Sequence, residues 1–207
     1  GVTFWVTVAV LLVVGVSVYL ITRKKSSNKK SFWTAKTMAV GAMCMALSSV
    51  LSLIKLWPMP MGGSVTPASM LPLLLFAYCY GVGPGMVLGA LYGVMQFLLD
   101  GMAWAALGAI PNLLDYPIAF GMLGLAGCFR GSKAKMTAGF VLGCFGRFMA
   151  SFLSGFIFYG QYAPEGVNPV WYSLTYNGSY MLVECIICIA LGLLVGERLA
   201  KELKKVA

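Results

Sequence analysis

The feature that most constrains this chain is a recurrence. Apolar runs of about 20 residues follow one another along the sequence with very few charges inside them. A helix rising 1.5 Å per residue needs about that many to cross ~30 Å of hydrocarbon. Charged residues make up only 10% of the chain and hydrophobic ones 60%, with a mean hydropathy of +0.87. A water-soluble domain carries about 25% charged residues to cover its surface, so the solvent of this chain is lipid. Alternating strand patterning is absent, which favours helices over a closed barrel. The expected fold class is all-α, a polytopic membrane helical bundle.

Charge placement then orients the spans. The net charge is +9, and 13 of the 15 Lys and Arg residues fall in three clusters: Arg23 to Lys36, Arg130 to Lys135 and Arg198 to Lys205. Each cluster borders an apolar span, the pattern of cytoplasmic loops and of contact with anionic lipid. This distribution argues against nucleic acid as a partner. Seven spans satisfy all three clusters, with the N-terminus outside and the C-terminus cytoplasmic. They lie near residues 3–22, 34–56, 69–83, 85–100, 109–129, 137–159 and 171–197. Residues 1–32 are expected to form an extra N-terminal transmembrane helix and a basic linker. Residues 33–200 form a six-helix bundle, and 201–207 a basic cytoplasmic tail. The first span lacks the basic start and small-residue cleavage site of a signal peptide. Pro58, Pro60, Gly62, Gly63 and Pro67 forbid regular helix in "WPMPMGGSVTP", which reads as an external loop. The pair 69–83 and 85–100 is split at "GVGPG".

Little supports catalysis or metal chemistry. The chain has no histidine and only six acidic residues, so the commonest general base and metal ligand is missing. Its six cysteines lie in or beside apolar spans, where a free thiol behaves as a small hydrophobe. Cys185 and Cys188 have redox-motif spacing without the usual βαβ context; a membrane-embedded thiol enzyme is the different-class alternative. Neither a cofactor nor a metal is expected. Small residues recur at helix-packing spacing: Ala42 with Ala46, Gly85 with Gly89, and Gly124 four residues before Cys128. Such pairs serve internal packing or present a docking face to a partner.

The topology brings one acid, one amide and several aromatics to a common depth near the outside. Asp115 lies about two turns into its helix and Asn177 about two turns into the last one. Tyr159 and Tyr172 flank the loop between the last two helices, and Tyr116 and Trp104 belong to the same outer third. A carboxylate at mid-helix costs ~2.5–3.5 kcal/mol on insertion scales, and such groups face the bundle interior or a cavity. Aromatic faces stack on flat rings or hold a cation, a carboxylate supplies counter-charge, and an amide offers both donor and acceptor. A flat, cationic heteroaromatic ligand fits that set. Each Tyr or Trp alone also reads as an interfacial anchor. Asp115 has a structural alternative as the ion-pair partner of Arg147, and Arg147 has another in Glu184.

Three stretches, "MPMGGSVTPASMLP", "LLDYPIAFGMLGLAG" and "SGFIFYGQYAPEGVNPVWYSLTYNGSYML", resemble the thiamine-specific substrate-binding subunits (ThiT) of energy-coupling-factor (ECF) vitamin importers. The likeness covers about residues 34 to 200. It implies a six-helix bundle with an external vitamin pocket and no ATPase of its own. A transmembrane coupling subunit and two ATPase subunits would be its partners, in a bacterial plasma membrane. On the matching positions, Asp115 stands where the family has an acid, usually glutamate, and Tyr116 follows as the family tyrosine does. Tyr172 and Asn177 match hydrogen-bonding residues of the pocket. Tyr159 takes the place of a stacking aromatic, and Ser151 stands where many members carry histidine. Gly63 belongs to the lid loop, Trp104 to the next external loop, and Ala42 and Ala46 to the motif facing the coupling subunit. The function this implies is capture of thiamine from outside, with Asp115 as counter-charge to the thiazolium. A sibling subunit for another vitamin or a thiamine precursor is the same-class alternative. The added N-terminal helix and the uncharged "YCYGVGPG" turn depart from the family pattern.

Overall fold

Helix α1 (Ala35–Leu53) starts at a capping box. The Thr34 hydroxyl accepts from the Thr37 amide at 3.2 Å, and the Thr37 hydroxyl accepts from the Thr34 amide at 2.9 Å. The computed structural model describes residues 34–60, 62–102 and 108–206. The expected N-terminal span at 3–22, and with it Trp104, lies outside the described residues.

After α1 the proline- and glycine-rich stretch is not structureless. It folds into an antiparallel hairpin of two-residue strands, β1 (Trp57–Pro58) and β2 (Ser64–Val65), with Trp57 opposite Val65. Gly62 and Gly63 both have positive φ, +85° and +78°, which turns the hairpin tightly. Helix α2 (Leu71–Tyr80) follows, and all ten of its residues are buried. This short, wholly apolar helix is the centre of the bundle. Gly81, at φ +103°, separates it from α3 (Val82–Gly101), so the expected split at the glycine-rich turn is present.

Helices α3 and α4 (Ala109–Cys128) meet through a glycine stripe. A Cβ built on Gly89 would lie 2.2 Å from the Phe120 carbonyl oxygen, and one on Gly93 would lie 2.4 Å from that of Tyr116. Gly124 returns the contact, since its Cβ would lie 2.3 Å from the Met86 amide. The Gly85, Gly89 and Gly124 positions therefore serve internal packing. Ala42 and Ala46 do not: both are exposed on α1. Helix α5 (Lys133–Phe158) is capped by Ser132, whose hydroxyl accepts from the Lys135 amide at 3.3 Å. Helix α6 (Pro169–Leu203, continuing helical to Val206) is capped by Asn168 with Pro169 in its first turn.

Five of these helices are long and apolar enough to cross a membrane: α1, α3, α4, α5 and α6. With α2 they make the expected all-α bundle of six. One boundary differs from the sequence reading. Residues 201–206, expected as a basic tail, are helical as the end of α6 and packed against α2, where the Tyr80 hydroxyl donates to the Leu203 carbonyl at 2.7 Å.

Candidate functional site

The residues "NLLDYPIAF" lie where α4 departs from regular geometry. Pro117 has no amide hydrogen to donate, and its ring crowds the carbonyl four residues earlier. The chain answers with a π-turn over Leu114–Ile118, closed by the Ala119 amide donating to the Leu114 carbonyl. Single π-turns inside helices commonly sit at functional sites. Here the widened turn carries Asp115 and Tyr116 on the bundle's inner side.

Both line a cavity of about 360 Å³, within the size range of small-molecule sites. The walls come from α1, α3, α4, α5 and α6 and from the hairpin. The Ser154 hydroxyl of α5 donates to Asp115 Oδ2 at 2.8 Å. The Ser151 and Tyr159 hydroxyls also stand close enough to interact with the same carboxyl group. Asp115 is thus met by hydroxyls rather than by a cation. The expected alternative partner, Arg147, instead pairs with Glu184, Nη1 to Oε2 at 3.4 Å.

Six of the residues singled out from sequence, Asp115, Tyr116, Ser151, Tyr159, Tyr172 and Asn177, line this one cavity, and so does Gly63. Asn177 is buried and spans α5 and α6. Its Nδ2 donates to the Ser173 carbonyl at 3.1 Å and the Ser151 carbonyl at 3.4 Å, and its Oδ1 accepts from Tyr180 Oη at 3.2 Å. Tyr116 packs edge-on against Phe97 of α3, centroids 5.4 Å apart. The close approach of α5 to α6 depends on Gly155, whose Cβ would sit 2.3 Å from Ser173 Oγ.

The hairpin is fastened to α6. The Tyr176 hydroxyl donates to the Gly62 carbonyl at 2.9 Å, and Gly63 packs so close to Tyr180 that a Cβ on it would lie 2.9 Å from the ring. Val65 is buried against Tyr180 and Met181, with Met59 and Phe148 alongside. Tyr176 and Tyr180 escaped the sequence reading. Their spacing with Tyr172, every fourth residue beside Ser173 and Asn177, is the signal that places them on the same face of α6.

Further lining residues had no sequence assignment. Lys55 and Asp100 bridge the mouth between the end of α1 and the end of α3, Nζ to Oδ1 at 2.8 Å. Thr66, Ser69 and Gln96 add neutral polar groups. No cysteine lines the cavity among the described residues, and Cys185 and Cys188 are free thiols elsewhere on α6.

The chain is similar to known proteins along most of its length. The family model described as "Thiamine transporter protein (Thia_YuaJ)" matches residues 38–203. The thiamine transporter ThiT of Bacillus subtilis is 38% identical over 144 residues, 63% of this chain and 73% of that protein. ThiT of Lacticaseibacillus paracasei is 32% identical over 134 residues, 58% of this chain and 67% of that protein. In three dimensions the fold matches the structure of ThiT from Listeria monocytogenes with a TM-score of 0.69 at 21% identity, covering 82% of this chain and 96% of that one. The family match runs from α1 to the end of α6 and includes every wall of the cavity: this multi-pass membrane protein belongs to the thiamine transporter family.

Proposed function

We propose that this chain is the substrate-binding subunit of an energy-coupling-factor importer and captures thiamine in the cavity beneath the hairpin. The observation that carries this reading is the pairing pattern of the charged groups lining the cavity. Lys55 is bonded to Asp100 and Arg147 to Glu184, while Asp115 is bonded to the Ser154 hydroxyl and has no ion-pair partner among the described residues. A carboxylate so placed supplies counter-charge to one cationic ring. Thiamine carries its positive charge on a thiazolium and its hydrogen-bonding edge on a pyrimidine. Tyr159 and other aromatics would stack against these rings, while Tyr116, Tyr172 and Asn177 take polar edges and Ser151 fills the wall beside Asp115. Gly63 lets the hairpin close down as a lid.

Transport needs no covalent step in this chain. The site opens to the outside, with the N-terminus external and the C-terminus cytoplasmic, in a bacterial plasma membrane. The binding bundle is residues 33–200, and the basic tail after it extends the last helix. ATP hydrolysis is supplied by two ATPase subunits and transmitted by a transmembrane coupling subunit. Ala42 and Ala46 are exposed on α1, one helical turn apart, and make the small-residue face on which that coupling subunit docks.

Isothermal titration of the purified full chain with thiamine tests the reading. Saturable binding at one site supports it, and no heat of binding refutes it. Competition with the separate pyrimidine and thiazole halves distinguishes thiamine from a precursor as the ligand.

A further inference from the structure

Glu184 is 1% exposed, a carboxylate far inside a lipid-embedded bundle. It lies seven residues beyond Asn177 on α6, about 10 Å deeper at 1.5 Å per residue. A buried charge is kept only where it is paired and hydrogen-bonded. Its partners come from two places. Arg147 reaches it from α5, with its guanidinium 4.2 Å above the Phe120 ring. The hydroxyls of Thr66 and Ser69 both donate to its Oε1, Ser69 at 2.9 Å.

Thr66 directly follows strand β2, and the Ser69 amide donates back to the Thr66 hydroxyl at 3.1 Å. The pair is the root of the hairpin that covers the cavity. The tip is tied to α6 by a neutral hydrogen bond, from Tyr176 to Gly62. The root is held by two bonds to a charged oxygen, which are stronger individually than a neutral one.

We propose, building on the thiamine reading above, that Glu184 is a positioning residue for ligand capture. It fixes the lid's root through Thr66 and Ser69 and cancels the Arg147 charge, so that Asp115 alone sets the charge of the site. All five ionisable acids and bases that line the cavity enter this balance. Lys55 and Asp100 pair at the mouth, Glu184 and Arg147 pair at the floor, and Asp115 is left without an ion-pair partner among the described residues. Without Glu184, the guanidinium would face the same chamber as the ligand's positive charge.

Two variants of the full chain test this. Thr66→Val/Ser69→Ala removes the lid's hold and leaves the ion pair intact. Thiamine should then dissociate about tenfold faster or more, the weight of a hydrogen bond to a charged group, with little change in association rate by stopped-flow fluorescence. Hydrogen exchange at the Leu56 and Met59 amides, which bond to Val65 and Gly63 across the hairpin, should accelerate even without ligand. Glu184→Gln should weaken thiamine more than an uncharged analogue carrying carbon in place of the quaternary nitrogen. Glu184→Gln/Arg147→Gln should restore the wild-type ratio between the two. Unchanged dissociation and exchange in the double hydroxyl variant would overturn the lid role, and an unchanged ratio in Glu184→Gln the charge role. Failure of the wild type to bind thiamine would sink the functional reading instead, and the exchange measurement would still decide whether Glu184 holds the lid.

Discussion

Replacing Asp115 by Asn changes charge while nearly conserving shape. The amide oxygen can still accept from Ser154, which donates to the carboxylate at 2.8 Å. What is lost is the field of the one cavity charge that has no opposite partner. A cation about 5 Å from a carboxylate, at an effective dielectric of ~20, is stabilised by ~3 kcal/mol. Part of this offsets the ligand's lost hydration, so a net loss of about 2–3 kcal/mol is expected, or roughly 30- to 150-fold in Kd. Isothermal titration with thiamine should show that loss, and Asp115→Glu should retain most of the binding. An uncharged analogue with carbon in place of the quaternary nitrogen should bind the wild type and Asp115→Asn almost equally. The variant should fold at least as well, because a neutral amide is less costly inside a bundle than a carboxylate. Thiamine binding within threefold of wild type, or an equal loss for the uncharged analogue, would refute the assignment of Asp115 as counter-charge.

Three other substitutions separate the parts of the molecule. Gly63→Ala places a Cβ 2.9 Å from the Tyr180 ring at a backbone φ of +78°. The left-handed conformation alone costs about 1 kcal/mol or more, so thiamine should dissociate several-fold faster while the melting temperature falls little. Gly93→Leu drives a side chain into the Tyr116 carbonyl, 2.4 Å from the new Cβ. Overpacking of this kind costs about 1–3 kcal/mol, and because Tyr116 and Asp115 share that turn, thermal stability and affinity should fall together. Ala42→Phe/Ala46→Phe alters an exposed face remote from the cavity lining. Titration with thiamine should be unchanged, whereas co-purification with the coupling subunit and uptake in cells should be lost; retained uptake would reject this face as the docking surface.

The helices were legible because each reflects a demand that lipid makes locally. Length, apolarity and flanking basic residues place α1, α3 and α4 to within about three residues, while α5 starts earlier and α6 runs on further than those signals mark. Two features were not readable in that way. The hairpin consists of two-residue strands, too short for any alternation to register, and its order comes from Val65 packing on the far end of the chain at Tyr180. The last six described residues read as a basic tail because their charges dominate. Their helix is stabilised instead by contacts with α2, such as that of Tyr80 with Leu203.

The site divides along the same physical line. Asp115, Tyr116, Tyr172 and Asn177 could be placed by counting turns from helix ends, since depth in a membrane is close to a linear function of residue number. The pairing of Arg147 could not. Asp115 and Glu184 are both acids inside apolar helices, and nothing within either helix says which of them the arginine meets. That choice is made by side-chain direction across three helices. Arg147 lies over Phe120 of α4 and points to α6, while Asp115 turns to Ser154 on the same α5 helix, seven residues further on. Under the proposed function the consequence reaches the ligand as well as the fold. Had Arg147 paired with Asp115, the cavity's free charge would lie on Glu184, at the deep end and already engaged by Thr66 and Ser69. With Arg147 on Glu184, the uncompensated carboxylate stands beside Tyr116 and Tyr159, where a flat cation can meet charge and aromatic faces together.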